Sequence, residues 1–159
     1  HPMAGSDRTG PAASRADLFR GAAVILVPPP GGSARALQEA RRFWSGLGSW
    51  CGVMTEAQHD SLMARVSHGP HVAASAILLG LGQKKRSLGW SGPGFRDVTR
   101  IAAGDPDLWA QILGRNAPAV RRNIRRLQGD LSRFEKVLGD RAALRSLLGR
   151  SAALRRRLR

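Results

Sequence analysis

Long apolar runs are missing from this 159-residue chain. The nearest approaches, around Val24–Val27 and Ala73–Leu81, fall short of the roughly 18 consecutive apolar residues a membrane-spanning helix needs, so no membrane span is expected. No basic patch followed by an apolar stretch and a small-residue cleavage site marks a secretory signal, which makes the cytoplasm the expected location. Cysteine is nearly absent. Cys51 stands alone beside Trp50 and Val53, has no partner for an internal disulfide, and reads as a small buried residue without a catalytic role. Acids are scarce as well, 11 against 26 Lys and Arg, giving a net charge of +15. Fourteen of those cations, against three acids (Asp130, Glu135, Asp140), lie between Arg115 and Arg159. They are spaced among leucine, alanine and valine like the solvated faces of amphipathic helices. Nucleic-acid binding is the second reading of such a tail, but Phe134 is its sole aromatic residue, and the stacking platform of a single-strand binder is lacking.

What is present is an ordinary globular share of hydrophobic residues, 42%. The chain starts on a small-residue loop, His1-Pro-Met-Ala-Gly-Ser6, with no element before it, which suggests that an upstream segment belongs in front. The apolar run Ala22–Val27 suits a buried strand and is stopped by Pro28-Pro29-Pro30-Gly31-Gly32. Ser33 can cap a helix to about Leu47 with Leu37, Ala40, Phe43, Trp44 and Leu47 on one face, and Ser49–Met54 reads as a second strand. Strand, helix, strand is the end of an α/β domain. From Thr55 the pattern turns helical. Thr55-Glu-Ala-Gln58 is a capping box opening a long helix to about Leu81, with a kink expected at Gly69-Pro70. Gln83–Gly94 reads as a loop, a short helix follows from Phe95, and Asp105-Pro106 starts another with cap and first-turn proline. Two or three more helices, broken near Gly139 and Gly149, fill the remainder. The fold class expected is mainly α: a helical bundle over residues 55–159, completed by a second subunit, after an α/β portion over residues 1–54.

Four separated motifs carry a family resemblance. They are His1-Pro-Met-Ala-Gly-Ser6, His59-Asp60, Ser67-His-Gly-Pro-His71, and Gly94-Phe-Arg-Asp-Val-Thr-Arg-Ile-Ala102 followed by Asp105-Pro-Asp-Leu-Trp109. In this order they resemble the prephenate/arogenate dehydrogenase family over most of the chain up to about Asn116. The resemblance implies an N-terminal Rossmann-like domain that binds NAD or NADP and a helical C-terminal domain that forms a homodimer and completes the active site. The implied activity is oxidative decarboxylation of prephenate or arogenate in tyrosine biosynthesis. The Gly-rich phosphate loop is not in this sequence. Gly80-Leu-Gly82 ends a helix where such a loop would join a strand to one. The cofactor fingerprint is therefore expected upstream, and the chain alone is expected to be inactive.

The implied chemistry names the residue types. A substrate hydroxyl must lose its proton while hydride leaves to the nicotinamide, and loss of the ring carboxylate as CO2 makes the product aromatic. A base near neutrality suits histidine. By resemblance that base is His1, which in isolation would read as an exposed terminal side chain. Ser6 lies in the same loop and is a candidate for cofactor contacts. Prephenate is a dianion, and the planar guanidinium of Arg100, in the Thr-Arg-Ile-Ala motif, matches the family's carboxylate-binding arginine. Arg96, four positions earlier, can reinforce the anion field. His71 and Ser67 are four residues apart on one helix face and are substrate-site candidates, with His68 expected to rotate away. A metal at His68 and His71 lacks a third ligand of suitable spacing. His59 has two readings, the family's His-Asp pair or a structural histidine, and Trp109 reads as core or dimer packing or as pocket lining.

Three positions depart from the family pattern. Gly69 stands where a bulkier apolar residue is common, Pro93 replaces a glycine, and Gly104 stands where serine is usual, which bears on local backbone geometry. The basic tail after Asn116 matches no motif. The alternative to an enzyme is a basic helical dimer or nucleic-acid-binding module.

Overall fold

In the computed structural model, which describes residues 1–4, 10–11, 14–82 and 88–158, a small α/β portion leads into a helical one. Strand β1 (Ala23–Leu26) and strand β2 (Trp50–Val53) pair in parallel with Ala23 opposite Trp50 and Leu26 opposite Val53. Parallel strands need a crossover, and helix α1 (Ala34–Gly46) supplies it, capped by the Ser33 hydroxyl accepting from the Ala36 N–H. Along the other edge of β1 run residues 1–3, antiparallel: the N–H of Met3 donates to the Ala23 carbonyl (2.7 Å) and that of Ile25 to the His1 carbonyl (2.9 Å). The opening loop thus has a strand-like partner that its small residues did not announce. Val24, Ile25 and Leu26 are buried between these two neighbours.

The apolar face of α1 is less covered than its periodicity predicts. Leu37, Ala40 and Trp44 are half-buried, but Phe43 is 62% and Leu47 43% exposed. Phe43 and Phe19 both meet Trp44 edge-on, at 5.3 and 5.1 Å between ring centres. Cys51 is a free, half-buried thiol.

Helix α2 (Glu56–Met63) begins on the complete capping box of Thr55 and Gln58. A kink was expected at Gly69-Pro70; the chain instead widens into a π turn (Ala64–His68) before α3 (Gly69–Gly80). Proline has no N–H for the i→i−4 ladder. The ladder is rephased just before it, with the Gly69 N–H donating five residues back to the Ala64 carbonyl. Positions 83–87 of the expected loop lie outside the described residues. Helix α4 (Pro93–Thr99) starts two residues earlier than Phe95 and tightens into a 3-10 turn (Arg100–Ala103) packed on α3. Helix α5 (Pro106–Arg115) is capped by the Asp105 carboxylate accepting from the Leu108 N–H (2.8 Å).

Two long helices finish the chain, α6 (Ala117–Val137) and α7 (Arg141–Arg155). The break expected near Gly139 is there, with Asp140 capping α7, but Gly149 lies inside α7: glycine costs a helix only about 1 kcal/mol, less than neighbouring alanines and leucines can offset. The helical core is small-residue packing, with Ala64, Ala119 and Val120 buried and Val72, Leu113 and Ile124 against them. Small side chains let α6 approach the π turn closely. At Gly69 an added Cβ would run into the Asn123 side chain and lie 2.9 Å from the Ala64 carbonyl oxygen. That departure from the family pattern leaves room for the Asn123 side chain of α6. Leu131 on α6 and Leu148 and Leu154 on α7 stay exposed, as do Leu138 and Leu158 just past the ends of the two helices. None of the described helices is long and apolar enough to cross a membrane.

Candidate functional site

Two elements far apart in sequence meet at the C-terminal end of β1. His1 is held there by its main-chain pairing with Ile25, its N donating to the Ile25 carbonyl at 2.9 Å. His59 and Asp60 are placed by the capping box: it fixes where α2 starts, and the His59 N–H closes the first turn on the Thr55 carbonyl (2.9 Å). The result is a hydrogen-bonded line. His1 Nδ1 lies 2.8 Å from His59 Nε2, and His59 Nδ1 lies 3.0 Å from Asp60 Oδ1. The two rings are tilted, with centres 5.1 Å apart, so the contact is through nitrogens and not stacking. His1 is exposed and His59 largely covered. The line borders an open recess of about 1180 Å³ formed by Ile25, Val27, the Pro28–Pro30 run, Val53 and the first turn of α2. In open α/β sheets the crevice beyond the carboxyl ends of the strands is where ligands bind.

A second cluster lies around Trp109. Its indole stacks on the imidazole of His71, with ring centres 3.6 Å apart and planes 11° from parallel. His68 meets the same indole edge-on at 6.4 Å. Gly104 makes room, since a Cβ there would run into the indole nitrogen and lie 3.5 Å from His71 Cε1. Both histidines are buried, and burial is the main force holding each below the ordinary histidine pKa. For His68, Asp60 opposes that shift and His59 adds to it. For His71 the nearby Ile101 backbone opposes the shift as a weak hydrogen-bonding contact, although Nδ1 forms no hydrogen bond of good geometry among the described residues. Buried Asn116 joins the clusters, its side-chain N–H group reaching the Asp60 carbonyl (2.9 Å) and His68 Nδ1 (3.2 Å).

Of the residues singled out in the sequence, His1 is brought together with His59 and Asp60, and His71 with Trp109. Ser67 is half-buried, and its hydroxyl makes no hydrogen bond among the described residues. His68, expected to rotate away, is buried against the same indole as His71, since residues three apart on a helix share a face and the π turn widens it. Arg100 opens the 3-10 turn beside α3 and Arg96 lies one turn earlier. Both are exposed, without an ion pair among the described residues, and neither lines the recess at His1. Ser6 lies outside the described residues. Asn116 was not singled out; its signal was a side-chain amide at a helix junction, between Arg115 and the Ala117-Pro118 start of α6.

Comparison with known proteins gives one answer for the length of the chain. The family described as "Prephenate dehydrogenase, nucleotide-binding domain" matches residues 1–52, and "Prephenate dehydrogenase, dimerization domain" matches residues 55–148. A cyclohexadienyl dehydrogenase of Zymomonas mobilis is 35% identical over 145 residues, covering 88% of this chain and 50% of that protein. A prephenate dehydrogenase of Bacillus subtilis is 32% identical over 124 residues, covering 76% of this chain and 33% of that protein. The chain thus spans half or less of the length of these two relatives. The solved prephenate dehydrogenase from A. aeolicus in complex with hydroxyphenyl propionate and NAD+ superposes with a TM-score of 0.91 at 28% identity, covering all of this chain and 58% of that one.

Proposed function

We propose, since this chain belongs to the prephenate dehydrogenase family, that the whole protein oxidatively decarboxylates prephenate or arogenate, using NAD or NADP as hydride acceptor, in tyrosine biosynthesis. Residues 1–54 are the end of the nucleotide-binding domain and residues 55–159 the helical domain. The carrying observation is His1, set at the C-terminal end of β1 on the rim of an open recess and hydrogen-bonded to His59.

The residues present fit one end of the dinucleotide. Ile25, Val27 and Val53 give the recess an apolar wall for a flat nicotinamide ring, whereas no glycine-rich loop that would cradle the phosphates is in this sequence. Bound there, the oxidised nicotinamide supplies a hydride acceptor. The chain supplies the rest. His1 takes the proton of the substrate hydroxyl, a role worth about 10²–10⁴ in rate. Arg100 binds a substrate carboxylate, with Arg96 adding positive field. Their exposure and lack of acidic partners among the described residues leave both guanidiniums available to an anion. His71 on α3 and Ser67 in the π turn before it contribute to the substrate side, where Trp109 packs the His71 ring and limits its rotation. The exposed leucines of α6 and α7 fit a homodimer interface, as the name of the matched domain suggests.

The test is kinetic, in the whole protein. Arg100→Ala raises KM sharply with kcat retained, and His1→Asn lowers kcat by about 10²–10⁴. Wild-type constants in either variant remove that residue from its role.

A further inference from the structure

The line from Asp60 to His1 orders protons as well as rings. An ionised carboxylate accepts hydrogen bonds and cannot donate, so the 3.0 Å contact to Asp60 Oδ1 requires a proton on His59 Nδ1. A neutral imidazole carries one donor and one acceptor, which leaves His59 Nε2 bare. That bare nitrogen lies 2.8 Å from His1 Nδ1 and is satisfied only if His1 carries its proton there. With His59 neutral, the opposite assignment, His1 protonated on Nε2, would require the other His59 tautomer and set two acceptors against each other at Asp60. We infer that His59 and Asp60 are positioning residues that hold His1 in the Nδ1–H form, so that Nε2 of His1 is the atom that receives the substrate proton.

The inference rests on His1 being the base of the proposed reaction. In that reaction the substrate O–H bond breaks and the His1 Nε2–H bond forms, while hydride leaves the carbon bearing that oxygen for the nicotinamide and a carbonyl forms there. When CO2 departs, its bonding electrons enter the ring, and the phenolate oxygen of the product takes the proton back from Nε2. During the interval the imidazolium of His1 donates through Nδ1 to His59, whose own polarity is set by Asp60. The groups facing this line are Glu56 on the first turn of α2, at the rim of the same recess, and His68 across the π turn, which is held neutral mainly by burial. Asn116 binds the Asp60 main-chain carbonyl and leaves the carboxylate to His59.

The tautomers are directly measurable. In the whole protein labelled with ¹⁵N-histidine, long-range ¹H–¹⁵N correlation at pH 7.5 is expected to show His1 and His59 both protonated on Nδ1, each assigned by the loss of its signals on substitution. Asp60→Ala is expected to release His1 into exchange between tautomers. It should lower kcat about tenfold or more, less than loss of the base itself, with KM nearly unchanged and the pH profile of kcat displaced. Asp60→Glu should recover part of the rate. A wild-type His1 protonated on Nε2 overturns the inference. If His1→Asn is inactive in that case, the base assignment survives without the relay; wild-type turnover in His1→Asn overturns both.

Discussion

Asn116→Ala removes one amide that serves two partners. The side chain is 8% exposed and donates to the Asp60 carbonyl at 2.9 Å and to His68 Nδ1 at 3.2 Å. Each bond contributes about 0.5–1.5 kcal/mol net, and His68 Nδ1 would be left buried without a donor, which moves the sum to about 2–3 kcal/mol. In a chain of this size about 1 kcal/mol shifts Tm by 2–4 °C, so the variant is expected to melt roughly 5–10 °C lower at pH 7.5. The effect carries a pH signature. The amide can donate to His68 Nδ1 only while that ring is neutral. Once acid protonates His68, two donors face each other in the wild type too, and the difference between the proteins shrinks. Urea unfolding followed by circular dichroism at pH 7.5 and pH 5 measures both numbers. A loss under about 0.5 kcal/mol at pH 7.5, or an undiminished loss in acid, refutes the hydrogen-bond assignment.

Two glycine substitutions should move in opposite directions. Gly69→Ala drives a methyl into Asn123 and the Ala64 carbonyl and should cost about 1–3 kcal/mol, whereas Gly149→Ala, inside α7 with nothing within 4 Å of the new methyl, should stabilise by about 0.5–1 kcal/mol. Chemical denaturation of both variants checks the pair; a neutral Gly69→Ala would mean that α6 is not packed where the structure puts it. The buried histidines predict acid sensitivity. His68 and His71 have folded pKa values below the unfolded value near 6.5, so the unfolded chain binds more protons just below that pH. Their contribution to stability is full above about pH 6.5 and is lost as pH falls through the depressed folded values. Unfolding free energies measured from pH 8 to pH 5 should decline over the acid half of that range, and a flat profile would contradict the burial of both rings.

Local chemistry in the sequence determined most of the element boundaries. Ser33, the Thr55–Gln58 box and the Asp105-Pro106 pair each satisfy backbone donors within three residues of themselves, so they announce their helices without any tertiary help. Strand, helix, strand over residues 23–53 is legible in the same way from apolar runs and turn residues, whereas His1, Arg100 and His71 are reached only through the family resemblance and not through local rules. Local rules failed where the outcome depended on a neighbour. Gly149 signals a break that the surrounding helix overrides, and Gly69-Pro70 signals a kink where the packed chain makes a π turn.

Tertiary structure alone decided how the candidate site is wired. His1 and His59 are 58 positions apart, and nothing in the spacing of either motif places two ring nitrogens 2.8 Å from each other. That contact needs the antiparallel pairing of residues 1–3 on β1 and the start of α2 to converge on one strand end. Asn116 reaches Asp60 across 56 positions, and His68 shares the Trp109 indole with His71 where α2 widens through a π turn into α3. Periodicity records which face of an element is apolar. Hydrogen bonds between distant elements depend on ångström-scale placement and on which nitrogen carries a proton, and those are set only when the elements pack.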